Sequence, residues 1–418
     1  MSEKIKIMTI SDHPLSPSGV GTQTKYMIDH LLSTGRYQVT ALGGAVKHQD
    51  YRPQKTDQWG DDFLIIPIDA YGSPDLIRSL MRQRRPDILW FMTDPRFYGW
   101  LWDIENEVRK NASMVYYHVW DNYPLPTFNR NFYLSNDKIV SISKVTDNIV
   151  KSVAPEVDSE YLPHSVNLEV FKKHKKEDVE AFRKTIFPNY SGETVFFWNS
   201  RNARRKMSGS LVWWFAELLK DIGPGKARLV MHTDPKDPHG PNLEALINEL
   251  GLTNGEIMFS TDRISQEHLS MMYNMADFTI AISDAEGFGL SALESLSCEV
   301  PVLATMTGGL QEQVTDGKNW FGFGIEPASK AVIGSQEVPF IYEDRISKEG
   351  FLEGMKSLMS LSPEERDKMG KACRAHVTKN YNPEKLIPRW DEMFQEIVKK
   401  NGSWETRKNY KSWELKTL

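Results

Sequence analysis

Two glutamates, Glu286 and Glu294, flank Gly287-Phe288-Gly289 in the stretch DAEGFGLSALESLSCEVPVLAT, residues 284–305. The run FTIAIS before it reads as a strand, SDAEGFG as the loop, and LSALESLS as the start of a helix. The first amides of a helix have no intrahelical partner and carry the positive end of the dipole, so this backbone suits an anion. Gly287 and Gly289 let the chain approach a ligand closely, and phosphate is the usual occupant of such helix starts. A carboxylate beside a phosphate is repelled by it unless it accepts hydrogen bonds from hydroxyls, which ribose and a hexose or pentose provide. Glycines beside two surface glutamates also arise without function. The strand PVLAT and the Gly308-Gly309 turn that follow weigh against that reading.

The elements that position this loop are legible as apolar runs. IKIMTI (5–10), YQVTALGG (37–44), FLIIPI (63–68), DILWFMT (87–93), MVYYHVW (114–120) and KIVSIS (138–143) are continuously apolar or β-branched, as strands covered on both faces are. Helical candidates at 22–35 and 73–87 lie between them, giving the alternation of a doubly wound sheet. A second set follows at 194–200, 227–233, 256–260, 278–283 and 301–305, with a helix at 209–223. The two halves meet near the polar stretch 169–178. Two such sheets facing each other form a cleft, because their ligands bind beyond the carboxyl ends of the strands.

The 418 residues are 40% hydrophobic and 26% charged, with 51 basic against 56 acidic side chains and a net charge of −5. That is a soluble chain of two or three domains and not a polycation for nucleic acid or membrane. Cys298 and Cys373, the only two cysteines, exclude a disulfide framework and a cysteine-rich zinc site and point to the cytoplasm. The N-terminal run is too short and polar for a signal peptide, and nowhere do about 18 apolar residues run together.

The spacing Glu286-seven residues-Glu294, with GFGL inside it and PVLAT…GGLQEQVTDG (301–317) behind it, resembles the retaining family-4 glycosyltransferases of the GT-B fold. YLPHSVNLEVF (161–171) is similar to their interdomain crossover, NSRNARRKMSG (199–209) to their diphosphate-binding strand end, and SPSGVGTQT (16–24) and YYHVWDNYP (116–124) to N-terminal motifs. The resemblance implies an α/β fold of two Rossmann-like doubly wound domains facing across a cleft. An acceptor-side domain would span residues 1–166 and a donor-side domain 167–390, with a tail of about 391–418 returning to the first.

The resemblance further implies that Glu294 holds the nucleotide ribose and Glu286 the donor sugar. Phe288, Gly289 and Leu290 would supply main-chain contacts, and Arg201 or Arg205, with Lys206, would neutralise the diphosphate. Gly19, Val20 and Gly21 would offer further amides. His118 would lie near the reacting sugar with Asp121 on the same loop, although a histidine ending an apolar strand also reads as a core residue. Arg205 and Lys206 also read as a solvated helix start, and Gly19-Val20-Gly21 as a tight βα connection. KKHKK (172–176) reads as a solvated face, as do the arginines of 78–85.

Ser165 and Asn167 stand where the family has Gly and Asp, and Cys298-Glu299 where it has small residues. The implied activity is sugar transfer from a nucleoside diphosphate sugar, UDP- or GDP-linked, by a front-face route with no cofactor and no metal. A hydrolase, an epimerase or a non-catalytic sugar-nucleotide binder is the alternative; a phosphorylase would need a pyridoxal lysine motif, which is lacking. The acceptor stays open among a glycan, a small molecule, a lipid headgroup and an anionic polymer such as modified DNA. The first half offers aromatic and basic stretches at 94–110 and 121–133 and the arginines at 78, 82, 84 and 85.

Overall fold

The structure is a computed structural model and describes residues 3–414. It divides into two compact units. The first comprises Met1–Ser165, Gly334–Phe340 and Glu384–Leu418, and the second comprises Val166–Ile333 and Ile341–Pro383.

The sheet of the first unit is built from β1 (Ile5–Asp12), β2 (Tyr37–Gly44), β3 (Gln54–Lys55), β4 (Phe63–Pro67), β5 (Ile88–Thr93), β6 (Ser113–His118), β7 (Lys138–Ser141) and β8 (Ser159–Tyr161). Their order is β3-β4-β2-β1-β5-β6-β7-β8, parallel except for the short edge strand β3. Every residue of β5 and β6 is buried, the burden of strands with helices on both faces. Order reverses between β1 and β5, so the loops leaving those two strands diverge and open a crevice at their carboxyl ends.

The C-terminal tail belongs to this unit from Glu384, earlier than the expected boundary of about 391. The buried Asp391 accepts a hydrogen bond from the Tyr37 hydroxyl at 2.5 Å and pairs with Arg36. The Trp390 ring packs edge-on against Trp90 and Tyr117, at 5.8 and 4.9 Å between centroids. Further along, Arg407 pairs with Asp137 at 2.8 Å, both almost sealed from solvent. Trp404 donates its amide to Asp87, and Tyr410 its hydroxyl to Asn106. Residues 415–418 of the expected tail lie outside the described residues.

The second unit contains β9 (Thr194–Asn199), β10 (Ala227–His232), β11 (Ile257–Ser260), β12 (Phe278–Ala281), β13 (Val302–Thr305) and β14 (Gly322–Ile325), all parallel in the order β11-β10-β9-β12-β13-β14. This is a doubly wound sheet whose switch point lies between β9 and β12. The helix Ser208–Ile222 lays Leu211, Phe215, Leu218 and Leu219 into its core, at about 1.5–3 kcal/mol for each side chain removed from water. An antiparallel pair, β15 (Ser329–Ile333) and β16 (Ile341–Arg345), follows β14 and was not foreseen. Both units are thus of the expected α/β class.

At the crossover, the Gln23 amide clamps Ser165 from both sides, donating to its carbonyl at 2.8 Å and accepting from its amide at 3.1 Å. Asn167 turns the chain through its side chain, whose Oδ1 accepts from the amides of Glu169 and Val170. The departure from Gly and Asp is met by these local bonds.

Candidate active site

The loops after β9 and β12 leave the switch point of the second unit side by side. Arg204–Lys206 form a short 3-10 turn after β9, and the amide of Asp284 after β12 donates to the Arg205 carbonyl at 2.8 Å. Across that seam the Lys206 ammonium pairs directly with the Glu286 carboxylate, both side chains mostly buried. Arg205 donates to the Ala285 carbonyl at 2.7 Å and places its guanidinium 3.8 Å from the same carboxylate. Burial alone would raise the pKa of Glu286; Lys206 and then Arg205 outweigh it and hold the carboxyl below its ordinary value.

The helix Leu290–Ser297 starts at Gly289, whose φ of +91° is open to glycine at little cost. A Cβ there would fall 2.6 Å from Leu310 Cδ2. The Gly308-Gly309 turn packs beneath: the Gly309 amide donates to the Glu286 carbonyl at 3.0 Å, and a Cβ on Gly309 would meet Phe288 Cα at 2.6 Å. The Phe288 side chain is buried and its carbonyl accepts from Gln313 at 2.6 Å. Ala292 and Leu293 donate to the Gly289 carbonyl, so the amides of Leu290 and Ser291 lie ahead of the helix ladder.

Glu294, in the second turn of that helix, accepts from the Tyr273 hydroxyl at 2.8 Å, and Asn199 at the end of β9 donates to the same hydroxyl at 2.9 Å. Burial pushes the pKa of Glu294 up to about 7, against the bond from Tyr273. Two carboxylates on one loop and helix are therefore driven in opposite directions, one kept ionised by cations and one poised near neutrality by desolvation. Carboxylates perturbed in opposite directions cluster at functional sites, and structural ion-pair networks produce them too.

Arg201 does not join this group. Its guanidinium is bound to Asp237, with Nε 2.6 Å from Oδ2, and to His239, which leaves Arg205 as the arginine beside Lys206. Sequence reasoning missed the supporting shell. Tyr273 and Asn199 orient Glu294, while the buried Glu343 of β16 pairs with Arg204 and with Arg345, the latter at 2.9 Å. Asp284 is buried, and desolvation followed by the nearby Glu343 raises its pKa to about 6. No short-range signal links residue 204 to residue 343; only Asp284, in the quoted motif, was within reach of the reading.

In the first unit, Gly19-Val20-Gly21 open the helix Gly19–Ser33, capped by Ser18, whose Oγ accepts from the Gly21 amide at 3.0 Å. A Cβ on Gly21 would fall 2.4 Å from Ser16 Oγ. His118 ends β6. Its ring is fully buried at the end of β6, Nε2 lies 2.7 Å from the Tyr133 hydroxyl, and Nδ1 has no partner. Its carbonyl accepts from the Ile142 amide, and burial lowers its pKa to about 3. Burial thus keeps the imidazole neutral. Asp121, on the loop that follows, is half-buried.

Residues 237–376 match the family model described as "Glycosyl transferases group 1". Among curated proteins, N-acetyl-alpha-D-glucosaminyl L-malate synthase of Bacillus anthracis is 22% identical over 192 residues, covering 44% of this chain and 44% of that protein. D-inositol 3-phosphate glycosyltransferase of Nocardiopsis dassonvillei is 31% identical over 159 residues, covering 37% and 36%. The chain thus spans less than half the length of these curated relatives in the matched regions. In fold, the likeness runs through nearly the whole chain. Sucrose-phosphate synthase from Thermosynechococcus elongatus superposes with a TM-score of 0.72 at 17% identity, over 95% of this chain and 100% of that one. Anabaena Alr3699/HepE in complex with UDP and glucose gives 0.68 at 14%, over 94% and 100%. The family match lies across the loop that carries Glu286 and Glu294, and the fold shared nearly end to end with these structures is the two-domain α/β fold of GT-B glycosyltransferases.

Proposed function

We infer that the protein transfers a sugar from a nucleoside diphosphate sugar to an acceptor, with retention of anomeric configuration and without a divalent metal. The observation that carries this is the pair of oppositely perturbed carboxylates at the switch point of the second unit, with Arg205 and Lys206 beside one of them. Glu294 accepts the ribose hydroxyls. The diphosphate lies on the amides ahead of the helix Leu290–Ser297 and draws Lys206 away from Glu286. Glu286, released from that pair, accepts hydroxyls of the donor sugar. Before the donor binds, the ion pair keeps both charges compensated, which mostly buried charges require. UDP is the nucleotide of choice, because the similarly folded Anabaena HepE is described in complex with it; GDP is the second.

Retention follows from a front-face substitution. The bond from the anomeric carbon to the diphosphate oxygen breaks, and the bond to the acceptor oxygen forms on the same face. The acceptor's proton passes to the departing phosphate oxygen. The protein supplies orientation and fixed positive charge for the leaving group. His118, through its carbonyl or ring, orients the reacting sugar or the acceptor, and Asp121 on the loop that follows is the second candidate for that role.

The test is turnover of UDP- and GDP-sugars in excess chelator, with the anomeric configuration of the product read by NMR. Arg205→Ala combined with Lys206→Ala should lower turnover by about 10²–10³-fold, the cost of losing groups aimed at developing charge. Strict dependence on magnesium or manganese, or an inverted product, refutes the scheme.

A further inference from the structure

The first unit carries a surface that the donor chemistry does not use. Among the described residues, large hydrophobic side chains that stand exposed include Leu15, Val46, Tyr51, Phe97, Tyr123 and Leu125. All six sit on loops leaving the carboxyl ends of β1, β2, β5 and β6. Tyr71, on the loop after β4, lies among them, its ring 5.1 Å from that of Phe97. His48 bridges His13 and Tyr51, with centroids 5.6 and 5.5 Å apart.

These rings are held in place by carboxylates. The Tyr71 hydroxyl donates to Asp12 at 2.8 Å, and Ser18 donates to the other oxygen of Asp12 at 2.5 Å. The Tyr51 hydroxyl donates to Asp69 at 2.6 Å. The backbone beneath is strained: Ala45, Ala70 and Thr93, at the ends of β2, β4 and β5, have φ of +62°, +46° and +152°. Such conformations cost about 1–3 kcal/mol each and persist where the surroundings fix them. The Ala45 amide donates to the Ala70 carbonyl at 3.0 Å, joining two of these loops.

Exposed, pre-oriented rings stack either on nucleobases or on the C–H face of a sugar, and charge separates the two. A nucleic acid needs cations for its phosphates, but Asp12 and Asp69 face this surface. Arg52 is engaged bidentately by Asp50, and Arg96 lies over Phe97 and 3.6 Å from Asp94; Lys47 is the remaining cation on the loops after β2 and β5. The arginines at 82, 84 and 85 end the helix Pro74–Arg84 and its cap just before β5 begins, at the opposite edge of the sheet. Carboxylates and imidazoles, by contrast, accept hydroxyl hydrogen bonds.

We propose that Tyr51, Tyr71 and Phe97, flanked by His13 and His48, form a stacking platform for an uncharged sugar ring of the acceptor. This rests on the glycosyltransferase reading and narrows its acceptor to a neutral glycoside.

The test is saturation-transfer NMR on the full chain with UDP present. The probes are methyl α-D-glucopyranoside, methyl α-D-mannopyranoside, methyl β-D-galactopyranoside, glucose 6-phosphate and a short single-stranded oligodeoxynucleotide. Transfer to the ring C–H protons of at least one methyl glycoside is expected, falling about tenfold in Tyr51→Ala and in Phe97→Ala, as loss of an aromatic contact implies. Both side chains are about half exposed, so these variants keep the fold, which thermal melts check. Absence of transfer to every glycoside, undiminished transfer in both variants, or tighter binding of the oligonucleotide or the sugar phosphate overturns the proposal. Calorimetry with UDP on the same samples separates the two readings. Failure of the wild-type chain to bind UDP refutes the donor assignment, whereas UDP binding without glycoside binding refutes the platform alone.

Discussion

Replacing Glu294 by glutamine should stabilise the ligand-free protein and weaken its hold on nucleotide. Burial raises the Glu294 pKa from its ordinary 4.5 to about 7. Below pH 4.5 the carboxyl is protonated whether the chain is folded or unfolded, and the substitution changes little. Between pH 4.5 and 7 the folded state holds a proton that the unfolded state has released, so wild-type stability falls as pH rises. Above pH 7 the loss is complete and amounts to about 3.5 kcal/mol, at about 1.4 kcal/mol for each pH unit between 4.5 and 7. The glutamine of the Glu294→Gln variant has no proton to lose and still accepts from Tyr273, so the gap between variant and wild type should open from near zero at pH 4.5 to that size at pH 8. Denaturant unfolding across this range measures it. Nucleotide binding should move the other way, because ribose hydroxyls donate more strongly to a carboxylate than to an amide; calorimetry with UDP at pH 8 should show a loss of about 1–3 kcal/mol. A stability difference that is flat with pH, or undiminished UDP affinity, refutes the reasoning.

Other substitutions test separate parts of the structure. Glu286→Gln frees Lys206 for the diphosphate, so bare UDP should bind at least as well as to wild type while the preference for the sugar-bearing form is lost; equal losses for both ligands contradict the division of roles. Glu299 ends the helix Leu290–Ser297 with a φ of +64°, and Glu299→Gly should raise stability by about 0.5–1 kcal/mol by relieving that conformation; an unchanged or lower midpoint in urea counts against it. Deleting residues 400–418 removes Arg407 from the buried Asp137 and Trp404 from Asp87, so hydrogen exchange should quicken in β6, β7 and the helix Glu105–Arg109 and stay unchanged in the second unit.

The central strands were legible because burial on both faces demands unbroken apolar runs, as in ILWFMT of β5 and TVFFWN of β9. β14 escaped notice because GFGI satisfies its neighbours with glycine: a Cβ on Gly322 would fall 1.9 Å from the Val302 carbonyl oxygen. β3 and β8 are edge strands of two and three residues with polar side chains, and β15 and β16 pair only with each other. At the candidate site, Glu286 and Glu294 stand out by their spacing around the glycines and Lys206 by the family resemblance, and the structure brings Lys206 against Glu286. The capture of Arg201 by Asp237 and the pairing of Arg204 with Glu343 depend on how distant segments pack. His118 has two readings at the end of an apolar strand, and its bond to the Tyr133 hydroxyl, fifteen residues on, depends on a packing that the strand pattern does not reveal.

The return of the tail to the first unit inverts the order in which the protein can mature during synthesis. Domains ordinarily fold in the order in which they emerge. Here residues 1–165 emerge first and stay incomplete: Tyr37 lacks Asp391, the Trp90 ring lacks Trp390, and Asp137 lacks Arg407. The second unit, by contrast, has its whole parallel sheet once residue 325 is made. The unit that begins the chain is therefore the last to close, and a fragment cut at residue 165 is not an independent domain unless residues 384–414 are supplied with it.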